Sequence, residues 1–307
     1  MGFIGLGNMG LPMTGNLVKK GYQVKAFDIS PQSLEKCHEY GVKPVQSIAE
    51  VAQDVRFVAL IYISSQVDFI VTSVPATKDV EEVLQGPDGI FAHAKKGTYI
   101  VDTSTISPIA SKEFAAEAKK KEMVFIDSPM SGGITGAQNG TLTFMVGCEK
   151  ENFEPVKEML LGMGKNVFHC GGPGTGEIAK ICNNLILGIN MIATSEGLSL
   201  GEKLGIDPKV LSNILSVSTG RSWCIDTYNP RPGMIDNVPS SRNYSNGFQV
   251  SLIRKDLSIA LDAAAKADAK LKFAQAAIDQ YRELEKKGYG KKDFGFVYQS
   301  IHKNGEI

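Results

Sequence analysis

The first 28 residues, MGFIGLGNMGLPMTGNLVKKGYQVKAFD, constrain the fold more than any other part of the chain. An apolar run, MGFI, leads into Gly5, Gly7 and Gly10 with the spacing G-x-G-x-x-G. A helix-period stretch follows and closes at Gly21; a second strand-like run, YQVKAFD, ends on Asp28. Strand, glycine turn, helix and second strand make a βαβ unit. Each glycine has its own task. Gly5 permits the tight turn, Gly7 lets a ligand approach the backbone, and Gly10 lets the helix pack on the strand. The helix N-terminus carries unsatisfied N–H groups and partial positive charge, which suit a pyrophosphate. Leu6, Asn8 and Met9 complete that turn. Asp28, 18 residues after Gly10, is placed to accept hydrogen bonds from a ribose 2′-hydroxyl and to repel a 2′-phosphate. The turn therefore predicts NAD rather than NADP. FAD uses the same fingerprint, but the chain shows no second FAD segment and turns helical after one nucleotide domain.

The rest of the first half repeats the alternation. VDFIVTSV, GTYIVDTS, EMVFIDSP, TLTFMVG and KNVFHCG read as strands, with helices between most of them, such as 109–121 and 151–162. Strand alternating with helix predicts a doubly wound, mainly parallel sheet of Rossmann type. From Thr175 the strand signal stops, and helical patterns run over about 176–204, 208–218, 247–267 and 270–287. The expected division is a dinucleotide-binding domain over 1–175 and an all-α domain for substrate and subunit contacts over 176–307.

Lysine plus arginine equals aspartate plus glutamate, 33 each, so no net field favours nucleic acid or an anionic membrane. No uninterrupted apolar run reaches the roughly 20 residues of a membrane span. The five cysteines are scattered, without a CxxC pair or a Cys/His cluster, and read as buried thiols rather than disulfides or a metal site. No signal or transit peptide is visible. Met1 falls almost inside the first strand, so residues are expected to be missing before it.

TGEIAKICNN, residues 175–184, carries the chemistry. Lys180 and Asn184 stand four apart, on one face of the predicted helix, while Ile178, Ile181, Leu185 and Ile189 suit its apolar face. The helix starts where the nucleotide domain ends, so its first turns can face the nicotinamide. Burial, the helix N-terminus and the charge of NAD⁺ would all favour a neutral amine at Lys180, able to accept a proton from an alcohol. Asn184 would orient the substrate. DSPMSGG leaves a strand at Asp127 and offers Ser131, Gly132 and Gly133, whose hydroxyl and backbone N–H groups can cradle a carboxylate. Solvent exposure of Lys180 and an ordinary glycine turn are the bland readings of these stretches.

GFIGLGNMG, DTSTI, DSPMSGG, GTGEIAKICNN and LIRKDL occur in this order over the whole chain, which resembles the β-hydroxyacid dehydrogenases. STGRSWCIDTYNPRPG, NGF and GYGKKDF resemble those members that act on 3-hydroxyisobutyrate. The resemblance implies oxidation of (S)-3-hydroxyisobutyrate to methylmalonate semialdehyde with NAD⁺, in valine breakdown and, in eukaryotes, in mitochondria. It implies Lys180 as acid/base, with Ser131, Gly132, Gly133 and Asn184 around the substrate. It also implies Val74, Pro75, Asp79, Thr105 and Lys255 at the cofactor, and a homodimer or homotetramer. Asp79 falls where relatives often carry an uncharged residue. Ser128 and Met130 replace small or branched apolar residues. A glyoxylate or succinic semialdehyde reductase of the same family is the alternative activity, and a non-catalytic scaffold the remote one.

Other signals fail on context. GLSLG, 197–201, matches a nucleophile elbow but continues the Lys180 helix instead of following a strand. GGPGTG lacks the Lys-Ser/Thr of a phosphate loop. His38, His93 and His302 read as surface residues, and His169 as structural. Two strand-like runs, VRFVALIYI and VDFIVTSV, stand where one strand has room. The second, leading into Val74-Pro75, is expected in the sheet. The first marks Val55 to Gln66 as a 12-residue insertion, read as a retained in-frame intron or, alternatively, as an extra edge strand or subunit contact.

Overall fold

A computed structural model describes residues 1–53 and 68–307. The suspected insertion at 55–66 lies outside the described residues. The chain divides into two compact units, Met1–Lys180 and Ile181–Ile307.

Among the described residues the first unit holds nine strands in one sheet: β1 (Gly2–Ile4), β2 (Lys25–Phe27), β3 (Lys43–Pro44), β4 (Phe69–Thr72), β5 (Tyr99–Asp102), β6 (Val124–Asp127), β7 (Met130–Ser131), β8 (Leu142–Gly147) and β9 (Gly164–Gly171). The order β3-β2-β1-β4-β5-β6 is parallel throughout, the doubly wound arrangement of dinucleotide-binding sheets. VDFIVTSV thus supplies β4 beside β1, as expected. Beyond β6 the sheet is mixed: β8 pairs antiparallel with β6 and β7, and parallel with β9.

Alternate strand residues fill two cores, one on each face of the sheet. Phe3, Phe69, Val71, Val101 and Ile126 enter one; Ile4, Ile70, Ile100 and Phe125 enter the other. The helices that cover them are α1 (Gly10–Lys19), α2 (Pro31–Lys36), α3 (Ile48–Gln53), α4 (Thr77–Gln85), α5 (Ile90–His93), α6 (Pro108–Lys120), α7 (Gly133–Asn139) and α8 (Phe153–Leu160). The starts of α2 and α6 are written locally. Ser30 and Ser107 accept hydrogen bonds from first-turn N–H groups, and a proline follows each at the first helical position.

Helix α9 (Thr175–Lys203) runs 29 residues without a break. By length and composition it would be able to span a membrane. It nevertheless buries the polar side chains of Glu177, Lys180, Asn184 and Ser195. Ile178, expected on its apolar face, is 42% exposed, whereas Ile181 is buried and Leu185 and Ile189 pack on the second unit's core.

The second unit continues with α10 (Pro208–Val217), α11 (Trp223–Asp226), α12 (Val250–Lys266), α13 (Lys272–Leu284) and α14 (Val297–His302). Met191, Ile253, Leu257, Ile278, Tyr281, Phe294 and Val297 form its core. Asp293 is buried there. It accepts hydrogen bonds from the Tyr228 hydroxyl at 2.8 Å and from the N–H groups of Phe248 at 2.8 Å and Gly295 at 2.9 Å. Burial pushes its carboxyl up to about 6 despite those donors. Burial differs from the sequence reading at two histidines and two cysteines. His302, which stacks on Tyr298, and His93, whose Nε2 is shielded, are half-buried rather than on the surface. Cys182 is exposed and Cys170 half-buried rather than buried.

Candidate active site

The glycine turn between β1 and α1 has the geometry its spacing predicts. Gly5 sits at φ +94°, and a Cβ there would lie 2.2 Å from the Ser73 carbonyl oxygen. A Cβ at Gly10 would lie 2.0 Å from the Gly5 carbonyl oxygen, so only glycine lets the helix come this close. At Gly7 a Cβ would meet nothing within 4 Å. Gly5 and Gly10 are required by the protein's own packing, and Gly7 faces open space. The start of α1 has no side-chain cap and no acid in its first turn. An uncapped helix start behind an open backbone turn fits the pyrophosphate of a dinucleotide.

Asp28 follows β2 and ties the turn to that strand. Its Oδ2 accepts from the Leu6 N–H at 2.6 Å and its Oδ1 from the Ser30 N–H at 2.7 Å. A carboxylate oxygen has two lone-pair sites, so both retain capacity for a ribose hydroxyl.

Val74 and Pro75 follow β4, and Asp79 lies in the first turn of α4. The Val74 N–H donates to Ser104 Oγ at 2.9 Å; Ser104 in turn donates to Asp102 Oδ1 at 2.6 Å, and Thr72 Oγ1 donates to the same oxygen at 2.7 Å. Asp102, the last residue of β5, is fully buried, which raises its carboxyl to about 6 against the pull of these donors. This network fixes the backbone at Val74, and half-buried Thr105 follows it in the chain. Thr72, Asp102 and Ser104 escaped the sequence reading. Their available signal was an acid placed directly after an apolar strand.

The DSPMSGG stretch differs from a simple turn. Ser131 ends the short strand β7, and Gly132, at φ +131°, precedes α7. Gly132 and Gly133 are exposed, and the start of α7 has neither a side-chain cap nor an acid. Its first-turn N–H groups therefore present donors beside Ser131.

Lys180 lies in the second turn of α9 and is 8% exposed. The helix start is built by Asp127, the last residue of β6. Its Oδ1 accepts from the Gly174 N–H at 2.6 Å and its Oδ2 from the Glu177 N–H at 3.0 Å. Burial raises the Asp127 carboxyl, and the two backbone donors oppose that rise. The Glu177 carboxylate accepts from the Ile106 N–H at 3.1 Å, joining the first turn of α9 to the loop after β5.

In the second unit, Asn184 is buried and donates to Asp256 Oδ2 at 2.5 Å, while Asn183 donates to its Oδ1 at 2.9 Å. Lys255 pairs with Asp256 Oδ1 at 3.2 Å. Asp256 therefore links two residues that sequence reading selected, although it was not itself selected. Among the described residues no group of three or more His, Cys, Asp or Glu is placed to hold a metal.

Residues 1–172 match the NAD-binding domain family of 6-phosphogluconate dehydrogenase, and residues 174–301 match a family described as the NAD-binding domain of NADP-dependent 3-hydroxyisobutyrate dehydrogenase. The chain is 44% identical to mitochondrial 3-hydroxyisobutyrate dehydrogenase of Bos taurus over 98% of its own length and 86% of the relative's. It is 38% identical to an NAD-dependent L-serine dehydrogenase of Pseudomonas aeruginosa, over 96% and 95% of the two chains. A solved structure of Mycobacterium tuberculosis 3-hydroxyisobutyrate dehydrogenase with L-serine superimposes with a TM-score of 0.86 at 33% identity, covering 98% of both chains. Likeness of this extent in sequence and in fold, around a turn shaped for a dinucleotide, places the chain in the 3-hydroxyisobutyrate dehydrogenase family, as a nicotinamide-dependent oxidoreductase.

Proposed function

We propose that the chain oxidises 3-hydroxyisobutyrate to methylmalonate semialdehyde with NAD⁺, using Lys180 as general acid/base. The observation that carries this reading is a lysine only 8% exposed in the second turn of a helix, one turn before a buried asparagine. Residues 1–175, joined by Lys255, hold the cofactor. Gly5, Leu6, Gly7, Asn8, Met9 and Gly10 take the pyrophosphate and Asp28 the adenosine ribose, which selects NAD over NADP. Val74, Pro75, Asp79, Thr105 and Lys255 serve the remainder. When bound, the nicotinamide supplies the acceptor for the substrate's hydride. The Ser131 hydroxyl and the N–H groups of Gly132 and Gly133 hold the carboxylate. Asn184, its amide fixed by Asp256, orients the hydroxyl. Lys180 Nζ accepts the hydroxyl proton, and in the reverse direction returns it to the carbonyl. Such proton transfer contributes roughly 10²–10⁴-fold to a rate.

A second reading, L-serine as substrate, is favoured by the serine dehydrogenase relative and by the related structure with L-serine. L-serine is also a 3-hydroxy acid, with an amino group where 3-hydroxyisobutyrate has a methyl, so Lys180 and the carboxylate cradle would act alike on both. Steady-state kinetics on 3-hydroxyisobutyrate, L-serine, glyoxylate and succinic semialdehyde decide the matter. The highest kcat/KM is expected for 3-hydroxyisobutyrate. A preference for L-serine, or for reduction of glyoxylate or succinic semialdehyde, would replace this assignment.

The unit over 176–307 also supplies subunit contacts in this reading. Ile186 and Leu200 on α9, Leu204 just after it, and Val210, Ile214 and Val217 on α10 are exposed, apolar surface of the kind subunits cover. A dimer or tetramer by light scattering is expected. The naming of the bovine relative as mitochondrial supports a matrix enzyme of valine breakdown if the source is eukaryotic, which fractionation would test.

A further inference from the structure

We propose that Asp127 is a positioning residue for the reaction: its buried carboxylate sets the pose of the first turn of α9 and so the place of Lys180. This inference rests on the reading of Lys180 as acid/base. The Gly174 carbonyl accepts the first intrahelical hydrogen bond, from the Ile178 N–H at 3.1 Å, so Gly174 occupies the N-cap position. There a serine or aspartate side chain ordinarily accepts from an N–H two or three residues on. Glycine has no side chain, and its φ of +83° disfavours one. The missing acceptor comes instead from Asp127, 47 residues earlier in the chain, which takes the Gly174 N–H on one oxygen and the Glu177 N–H on the other. Lys180 follows Glu177 by three residues and shares its helix face.

The surroundings are shaped to this carboxylate. A Cβ at Gly147 would lie 2.4 Å and 2.6 Å from its two oxygens. A Cβ at Gly176 would lie 2.8 Å from Asp127 Oδ2 and 2.2 Å from the Met145 carbonyl oxygen. Two glycines on different elements thus leave room for one acid. Asparagine cannot replace it, because each oxygen faces a backbone donor and an amide offers only one acceptor. The remaining N–H would face an NH₂ group, and the first turn would shift.

The test compares Asp127→Asn, Gly147→Ala and Lys180→Ala in one assay on the full chain with saturating NAD⁺ and 3-hydroxyisobutyrate. Asp127→Asn is expected to lower kcat by about ten- to a hundredfold, less than the roughly 10²–10⁴-fold a general acid–base group supplies, because Lys180 is still present but displaced. NAD⁺ affinity, from nucleotide titration, should stay within about twofold. The primary deuterium isotope effect on kcat should rise, because hydride and proton transfer become limiting. Gly147→Ala keeps the acid but displaces it, and is expected to give the same signature if Asp127→Asn does not fold. Folded Asp127→Asn protein with lower thermal stability, kcat within twofold of wild type and an unchanged isotope effect would overturn the positioning role, provided Lys180→Ala is inactive. Full activity in Lys180→Ala would instead remove the acid/base reading on which the inference stands.

Discussion

Helices α1 and α9 both begin after glycine-rich turns, and their starts are built in opposite ways. The start of α1 is open: no side chain caps it, no acid lies in its first turn, and Gly7 faces space. The start of α9 is filled: a carboxylate from β6 takes two backbone N–H groups, and glycines at 147 and 176 admit it. Every helix N-terminus carries the same unsatisfied donors and partial positive charge. What differs is where the negative charge comes from. An open start is left for an external anion, in the proposed reading a dinucleotide. A filled start has its anion within the chain and, as proposed for Lys180, serves to fix the side chains that follow. A glycine turn is therefore ambiguous until its neighbours show whether an internal acid already occupies it.

The largest expected effect falls on the filled start. Lys180→Ala should lower kcat by at least about 10²-fold while NAD⁺ binding changes much less; stopped-flow turnover with a parallel nucleotide titration measures both. At the open start, Gly7 and Gly10 should part company. Gly10→Ala drives a methyl into the Gly5 carbonyl, and a loss of roughly 1–3 kcal/mol in denaturant unfolding is expected. Gly7→Ala meets no protein atom, so the melting temperature should hold while NAD⁺ affinity falls about tenfold, near 1.4 kcal/mol. Equal loss of stability in both variants would erase the distinction between a packing glycine and a ligand-facing one.

Asp28→Ala is a subtler change at the same start. In the proposed reading it removes a ribose acceptor and a charge that opposes a 2′-phosphate, so the NAD to NADP ratio of kcat/KM should fall by about tenfold. A wild-type enzyme that already prefers NADP would show that Asp28 serves only the Leu6 and Ser30 N–H groups.

The effect furthest from the chemistry is on stability against pH, and it separates a purely structural acid from the two starts. Asp293 titrates at about 6 in the folded chain, against an ordinary value of 3.8. Between these values the folded chain holds a proton that the unfolded chain has released. Its contribution to stability therefore falls as pH rises through that window, by up to about 3 kcal/mol. Asp293→Asn should flatten this part of the stability curve relative to wild type. An identical slope in chemical denaturation from about pH 4 to pH 6 would place the titration elsewhere.

The fold was largely legible because its strands and helices announce themselves by period. FIVT, YIVD and VFID are short apolar runs bounded by turns, and each became a parallel strand buried on both faces. The elements missed were short. β3 and β7 have two residues each, too few for a period, and α7 hides in GITGAQN, where glycines read as a turn. The residues picked for chemistry were those whose type is rare in such places, a lysine and an asparagine on an apolar helix. Asp102, Asp127, Glu177 and Asp256 were passed over because an acid in a sequence looks the same whether it meets water or a buried N–H. Only tertiary contact separates these cases. The retrievable clue lay in β5 and β6, which end in aspartates that are partners in register.

Helix α9 also acts as a ruler. Lys180 and Asn184 belong to one uninterrupted helix, so their spacing is set by backbone geometry, about 1.5 Å of rise and 100° of turn per residue. Removing or adding a single residue between them would rotate one by roughly 100° from the other's face. Across an evolving lineage this segment should be indifferent to the kind of residue at exposed Cys182 and intolerant of any change in length. Surface loops should show the reverse pattern, drifting in length as readily as in composition.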